Sequence, residues 1–276
     1  MLLSVIIPTC HRNDLLALCL DRLAPGTQTL AIDNYEVIVT DDGTNSTAEE
    51  MIRSRYPWAT WAAGPGKGPA SNRNHGATLA GGEWLVFTDD DCIPEAEFLD
   101  SYWQAASEGD VLVLEGMTSS YGVRERVDVE CPINESGGCL WSCNMAIRKD
   151  LFFKLNGFDT AFPGAAMEDV DFRTRVIKSG ESIKFVPKAL VRHPWRERKG
   201  LSFWKLYSKS KRYFIKKHPE MIGSVSYAEL GSDLARRLLK QLPPIAVTCK
   251  GRGLAREVAL TFYTTYALIV YCKRGI

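Results

Sequence analysis

Three consecutive carboxylates, Asp89-Asp90-Asp91, follow directly on the apolar run Trp84-Leu-Val-Phe-Thr. Adjacent anions repel, and a fold keeps them most readily around a cation. Mg²⁺ or Mn²⁺ held by one or two carboxylates plus substrate phosphates is the arrangement that hard oxygen ligands favour. An acidic, solvated turn after an edge strand has the same composition, so the triplet takes its meaning from its company. A second pair, Asp41-Asp42, ends the run Tyr35-Glu-Val-Ile-Val-Thr40. There a carboxylate can accept hydrogen bonds from a base or from ribose hydroxyls, but it is a poor host for phosphate. Lys67 and Arg73 are the cations placed to assist a metal with phosphates, and both residues are also what an ordinary charged surface carries. A third acidic group, Glu168-Asp169-Val-Asp171, opens a helical pattern with Phe172 and Val176 on one face and Gly180 at its end. Acids in a first turn complement the helix dipole; alternatively, one of them projects into a crevice as a general base.

These residues need a scaffold that brings strand ends together. The order along the first half is strand (Leu3 to Pro8), helix (Asn13 to Leu23), strand (Tyr35 to Thr40), helix (Ser46 to Tyr56), strand (Ala59 to Ala63), helix (about Ala70 to Ala80) and the strand at Trp84. That alternation predicts an α/β fold, a mostly parallel sheet with helices on both faces. Ligands in such sheets bind outside the carboxyl ends of the strands, where both acidic clusters would lie. The loop Gly64-Pro-Gly-Lys-Gly-Pro69 lacks the Gly-x-x-x-x-Gly-Lys-Ser/Thr pattern, and no Gly-x-Gly-x-x-Gly follows the first strand. A P-loop NTPase and a dinucleotide dehydrogenase are thereby excluded. Beyond residue 110 come a strand at Val111 to Glu115, a polar stretch to about Gly138 that periodicity does not place, a strand from Leu140 to Ile147, and a short helix from Lys149 to Leu155.

With 276 residues, 45% hydrophobic and 24% charged, the chain can bury a full core. The net charge of +1 hides an asymmetry: residues 192 to 276 carry 18 Lys and Arg against 5 Asp and Glu, net +13, leaving net −12 for residues 1 to 191. An acidic body argues against nucleic acid as partner, while a basic tail suits an anionic membrane surface. The start Met1-Leu-Leu-Ser-Val-Ile-Ile-Pro8 has no basic leader, so a cytoplasmic protein is expected. The eight cysteines show neither a Cys-x-x-Cys pair nor zinc-ligand spacing and are expected to be free thiols.

Seven short motifs in register carry a resemblance over most of residues 1 to 195. Ser4-Val-Ile-Ile-Pro-Thr9, Val37-Ile-Val-Thr-Asp-Asp-Gly43, Ser71-Asn-Arg-Asn-His-Gly76, Phe87-Thr-Asp-Asp-Asp91, Cys143-Asn-Met-Ala-Ile-Arg148, Gly157-Phe-Asp159 and Glu168-Asp-Val-Asp171 resemble, in order and spacing, the family-2 glycosyltransferases of the GT-A fold. The resemblance implies an inverting transferase that uses a nucleotide-diphosphate sugar, with UDP the expected nucleotide, and Mn²⁺ or Mg²⁺. It implies a catalytic domain over 1–195, with a nucleotide-sugar half at 1–115 and an acceptor half at 116–195, followed by a basic helical extension at 196–276. By the same resemblance Thr9 and Asp42 lie near the base, and Arg73 and Asn74 near the ribose and diphosphate, with Lys67 assisting. Asp89 lies on the ribose side, Asp91 on the metal with Asp90 as a further candidate, and Asp169 takes the proton of the acceptor hydroxyl. His193 sits where some members supply another metal ligand. Glu168 and Asn144 fall on the substrate side, although Ser142-Cys-Asn144 departs from the family's usual Gly-Ala-Asn. The acceptor implied is a hydroxyl of a glycan or lipid-linked saccharide in cell-surface polysaccharide synthesis.

Two readings of the tail stand side by side. Leu201 to Lys217 combines Phe203, Trp204, Leu206, Tyr207, Tyr213, Phe214 and Ile215 with many cations, the composition of an interfacial helix. Val258 to Cys272 is apolar but, at about 15 residues, falls short of the roughly 20 needed to span a bilayer. The expectation is peripheral attachment to the inner face of the cell membrane and no span; packing of both segments as core helices is the alternative. Beside the enzyme stands a non-catalytic relative that binds nucleotide-sugar or docks partners. A metal-dependent nucleotidyltransferase would share the aspartates but leave the half from Asn144 to Asp169 unexplained.

Overall fold

The computed structural model of the chain describes residues 1–45, 47–198, 200–221 and 227–273. The first half runs β1 (Leu3–Thr9), α1 (Asn13–Leu23), β2 (Tyr35–Asp41), α2 (Glu49–Arg55), β3 (Ala59–Ala63), α3 (Pro69–Leu79), β4 (Trp84–Thr88), β5 (Ile93–Pro94), α4 (Phe98–Ser107) and β6 (Val113–Tyr121). The second half continues with β7 (Val129–Glu130), β8 (Asn144–Arg148), α5 (Lys149–Lys154), α6 (Glu168–Lys178), β9 (Ile183–Pro194), β10 (Arg196–Glu197), α7 (Leu201–Lys217), α8 (Tyr227–Arg236), α9 (Leu242–Thr248) and α10 (Leu254–Lys273). Ser46, read as the start of the second helix, lies outside the described residues.

The chain divides into two compact units. The first comprises Met1–Tyr121, Pro132–Ala161 and Glu168–Pro194; the second comprises Gly122–Cys131, Phe162–Met167 and Trp195–Ile276. The second unit therefore takes in two segments that the sequence reading kept with the first 195 residues.

In the first unit an eight-stranded sheet has the order β3-β2-β1-β4-β8-β6-β9-β5. β1 pairs parallel with β2 and β4, β2 with β3, and β6 with β9, while β8 runs antiparallel between β4 and β6. Because helices cover both faces, β1 is buried at every residue and reads as a continuous apolar run. Its side chains alternate all the same: Val5 and Ile7 join the core under α1 and α4, with Leu16, Leu20, Phe98 and Tyr102, whereas Ile6 faces Leu85, Phe87, Phe152 and Phe172. α1 follows the same economy: Leu16, Cys19, Leu20 and Leu23 face the core at helical spacing and Leu18 is turned outward. Sequence periodicity missed α4 and showed only the end of β9.

In the second unit, β7 pairs antiparallel with β10, and Val127, Leu242 and Cys249 form a small core with Leu238, Ile245, Leu254 and Val258. Asp128 is buried and bridged by Arg126 and Arg256, and Glu257 by Arg198 and Arg237. α7 packs Phe214 inward, Tyr213 edge-on to Phe162, and Leu206 over Gly164. Those residues of the supposed interfacial helix are thus spent on internal packing; the Trp204 side chain lies outside the described residues. No helix among the described residues is long and apolar enough to cross a membrane.

Candidate active site

The chain adds β2 and β3 on one side of β1 and then returns to place β4 on the other. At such a reversal the crossover helices lie on opposite faces and a crevice opens at the strands' carboxyl ends. Thr9, Asp41 and the Asp89 to Asp91 triplet all emerge there.

Two groupings form in the crevice. In the first, Arg73 of α3 is buried and donates from Nη2 to Asp89 Oδ1 at 2.5 Å. Its Nε and Nη1 are buried and have no acceptor among the described residues. The same guanidinium acts electrostatically on Glu168 and Asp169 at the start of α6. Asp169 Oδ2 accepts from the Ser142 backbone N–H at 3.3 Å, while Asp169 Oδ1 and Glu168 Oε2 are buried without a hydrogen-bond partner among the described residues. Loss of hydration raises the pKa of both carboxyls against the pull of Arg73, and Glu168 is pushed up to about 7. An aromatic cluster holds the grouping in place. Phe158 lies 4.8 Å from Phe172 and 5.3 Å from Phe87, so it bridges the ring three residues after Asp169 and the one two residues before Asp89. The Arg73 guanidinium lies over Phe158 at 5.8 Å.

In the second grouping, His193 Nε2 faces Asp91 Oδ1 at 3.2 Å, both side chains being buried. His193 Nδ1 lies 2.8 Å from the Pro194 carbonyl. A carbonyl only accepts, so Nδ1 carries the proton and, in the neutral ring, Nε2 points a lone pair at a carboxylate. Only a cation or a second proton between them makes that approach favourable, which is the geometry of an imidazole oriented by its outer nitrogen. Arg12 Nη1 donates to Asp91 Oδ2 at 3.1 Å. Among the described residues no group of three or more His, Cys, Asp or Glu is gathered to hold a metal ion. A carboxylate and an imidazole nevertheless fit Mn²⁺ or Mg²⁺ when a diphosphate supplies the remaining oxygens.

Other expected site residues have different partners. Asp90 turns into the fold, where its carboxylate accepts from the Thr9 hydroxyl at 2.7 Å and Arg12 Nε at 3.0 Å; burial pushes it up to about 7 against the pull of Arg12 and Thr9. Asp90 is thus separated from the Asp91–His193 pair, and the Thr9 hydroxyl is committed to it. Asp42 accepts from the backbone N–H groups of Gly66 at 2.9 Å and Gly68 at 3.0 Å, closing the glycine loop on which Lys67 stands exposed. Asn74 spends its whole amide on Phe158, donating to the carbonyl at 2.7 Å and accepting from the N–H at 2.9 Å. Gly157 beside it has φ +59° and no room for a Cβ, which would stand 2.6 Å from Asn74 Oδ1.

Asn144 is the fullest departure from a substrate role. It is buried, donates to the carbonyls of Met117 at 2.7 Å and Ala189 at 2.9 Å, and accepts from the Tyr102 hydroxyl at 2.6 Å. Asn144→Ala takes the partner from the buried Tyr102 hydroxyl and Ala189 carbonyl and from the half-buried Met117 carbonyl, at roughly 1–3 kcal/mol for each buried group left unpaired. Urea unfolding should show a loss of at least about 2 kcal/mol, with the affinity for nucleotide unchanged. A variant of native stability and weakened nucleotide binding would return Asn144 to the substrate.

Sequence reasoning overlooked Arg12, Glu115 and the Ser142 N–H. Arg12 stands three residues beyond the end of β1, a position whose link to the triplet is set only by the β1–β4 pairing. The buried carboxylate of Glu115 accepts from Asn134 Nδ2 at 2.8 Å and from the N–H groups of Gly138 at 2.7 Å, Cys139 at 2.6 Å, and Leu140. This clasp shapes the loop that presents Ser142 to Asp169.

Comparison with known proteins agrees with this architecture. The chain is 26% identical over 275 residues to validoxylamine A glucosyltransferase of Streptomyces hygroscopicus subsp. jinggangensis, a match covering 82% of this chain and 63% of the relative. It spans less than two thirds of that relative's length. Among solved structures, S. aureus TarS in complex with UDP-GlcNAc superposes with a TM-score of 0.61 at 19% identity, over 90% of this chain and 76% of that one. Mannosyltransferase PcManGT from Pyrobaculum calidifontis, in complex with GDP-Man and Mn²⁺, gives 0.62 at 18% identity over 98% and 85%. The fold is therefore GT-A, a curled, mostly parallel sheet flanked by helices. The glycosyl transferase family 2 model matches residues 4–167, more than half of the sequence and ending one residue short of the Glu168-Asp169 pair, and the chain belongs to that family.

Proposed function

We propose that this chain is an inverting, metal-dependent hexosyltransferase. It moves a sugar from a nucleotide-diphosphate sugar, with UDP as the nucleotide, to a hydroxyl of a glycan or lipid-linked acceptor in cell-surface polysaccharide synthesis. The observation that carries this reading is the gathering, in one crevice, of buried guanidinium N–H groups on Arg73 and a buried carboxylate oxygen on Asp169 that have no hydrogen-bond partner among the described residues and act on each other electrostatically. The first suit an anionic donor; the second suits a hydroxyl that must lose its proton. Donors of this class accompany the two solved neighbours, UDP-GlcNAc in one and GDP-Man in the other.

In this mechanism Asp169 accepts the proton of the acceptor hydroxyl as that oxygen bonds to the anomeric carbon from the face opposite the diphosphate. The bond from that carbon to the diphosphate oxygen breaks in the same step, and a single displacement inverts the configuration. Arg73 directs its N–H groups at the charge that grows on the leaving diphosphate, where a preformed donor costs no reorganisation. Asp91 and His193 would hold the cation, whose charge supplies further stabilisation of that leaving group. Arg12 keeps Asp91 oriented.

The test is calorimetric titration with UDP, in Mn²⁺ and again after EDTA, on the native chain and Asp91→Ala. Native binding should require the metal, and the variant should lose more than about tenfold in affinity. Equal binding by the two proteins removes the metal assignment; absence of binding to UDP, GDP and dTDP alike removes the donor. A chain that binds donor tightly and turns over no UDP-sugar for any acceptor would be the non-catalytic relative.

A further inference from the structure

The second unit carries a surface that neither its own core nor the transferase reading accounts for. From Tyr227 to Thr248 the backbone is helical without a break, passing from α8 through a π-helical turn at Arg237–Gln241 into α9. Pro243 and Pro244 lack the N–H groups that an α-helix would offer to the carbonyls four residues earlier. The helix widens just ahead of them, and the Leu242 N–H reaches back to the Arg237 carbonyl. One face of this segment is fully accounted for: Leu238, Leu242, Ile245, Ala246 and Cys249 pack with Val127, Leu254 and Val258.

The opposite face is apolar as well. Leu239, Pro243 and Val247 follow one another at a spacing of four, which aligns them on one stripe, and all three are exposed, Leu239 to 75% and Val247 to 80%. Lys240, Lys250 and Arg252 are exposed along the same segment and the turn that follows it. From residue 234 to residue 256 the sequence contains no Asp or Glu. The next acid, Glu257, is buried and already bridged to Arg198 and Arg237.

We propose that this ridge docks on an anionic lipid surface, with Leu239, Pro243 and Val247 entering the headgroup–acyl boundary and Lys240, Lys250 and Arg252 at headgroup level. Charge decides between the possible occupants. In a two-fold dimer the same patch meets itself, which would set these cations against their own copies, with no Asp or Glu from residue 234 to residue 256 to answer them. A stripe of three side chains also falls well short of the roughly 1,200–2,000 Å² that a stable protein interface buries. A bilayer needs only shallow insertion of an apolar stripe and supplies the missing negative charge itself. The membrane contact expected from the basic tail is thereby moved from α7, where Leu206, Tyr213 and Phe214 pack internally, to the helix that precedes α10.

The experiment is flotation of the full chain with vesicles of phosphatidylcholine, with and without phosphatidylglycerol, and it needs no turnover. The chain should float with the anionic vesicles alone, and added salt should release it. Lys240→Gln with Lys250→Gln should weaken the partition about thirtyfold, from about 1 kcal/mol per cation near the surface. Leu239→Asp with Val247→Asp should abolish it, while Leu18→Asp, at an exposed leucine of the first unit, should leave it intact. Circular dichroism and thermal unfolding confirm that each variant folds; the two lysine changes at exposed positions keep the test open if the aspartate pair does not. Absence of flotation, equal flotation by the lysine or ridge variants, loss with Leu18→Asp, or a native dimer dispersed by Leu239→Asp would each overturn the proposal.

Discussion

Asp169→Asn should lower kcat by about 10²–10⁴-fold, the contribution of a positioned general base, and leave the affinity for nucleotide unchanged. The substitution keeps the shape of the side chain, and its carbonyl oxygen can still accept from the Ser142 N–H, now at 3.3 Å from Asp169 Oδ2. What it removes is the ability to take a proton. The pH dependence provides a readout that a structural role would not move. Only the ionised carboxylate can act as the base, so activity is held above its pKa and declines as pH falls through it. Loss of hydration raises the Asp169 pKa, and Arg73 lowers it in opposition. The acid limb should therefore lie above the ordinary carboxylate range. Glu168, pushed up to about 7 by burial and by its neighbour Asp169, should gain its proton close to neutrality. In Asp169→Asn the limb assigned to the base should be absent from whatever activity remains. An unaltered rate in Asp169→Asn, or one lost together with nucleotide binding, would remove Asp169 from the chemistry.

The second large effect is on stability. Arg73→Met should cost about 3–5 kcal/mol in urea unfolding at neutral pH, the range for a buried ion pair that loses one partner. Arg73 and Asp89 are 5% and 23% exposed, so solvent does little to replace the lost contact. Glu168 and Asp169 lose the same cation. The sign of the pH effect is fixed: without Arg73 the charged forms of these carboxylates are less favoured, so their pKa values rise further and any remaining activity moves its acid limb to higher pH. The stability gap from the native chain should narrow as pH falls and the carboxylates become neutral. Arg73→Lys should recover part of the stability, because the charge remains, and less of the activity, because an ammonium cannot reproduce the planar fork. A Met variant that unfolds at the native urea concentration would show that the guanidinium does not hold this cluster together.

Much of the scaffold was legible because its causes are local. Asn13 to Leu23 reads as a helix from Leu15, Leu16, Leu18, Cys19 and Leu20 set around a helical turn, and the helix has those bounds, with Leu16, Cys19, Leu20 and Leu23 buried. β1, β2 and β4 read as buried strands because a strand covered on both faces has no polar face to show. The motifs in register named the family, and the family carries the fold. α4 was missed, although Phe98, Leu99, Tyr102, Ala105 and Ala106 lie buried along it. The stretch after Glu115 could not be placed because its order comes from one distant carboxylate clasping three backbone N–H groups, which no periodicity records.

At the site, residue type named the chemistry each side chain could do, and tertiary structure decided what it was used for. The amides of Asn74 and Asn144 and the hydroxyl of Thr9 have the same donors and acceptors whether a substrate or a backbone meets them. Asn74 meets a backbone 84 residues away, Asn144 one 45 residues away, and Thr9 meets a carboxylate 81 residues away. In the triplet, consecutive residues leaving a strand point in different directions, so Asp89 turns to Arg73, Asp90 inward to Arg12 and Thr9, and Asp91 to His193. The sequence by itself determined the alternation of strand and helix, the family and the acidic character of the crevice, because those follow from periodicity, motif order and composition. Which carboxylates stay open to a ligand was decided by the fold alone, because a hydrogen bond depends on distance and angle between groups that the chain brings together from far apart.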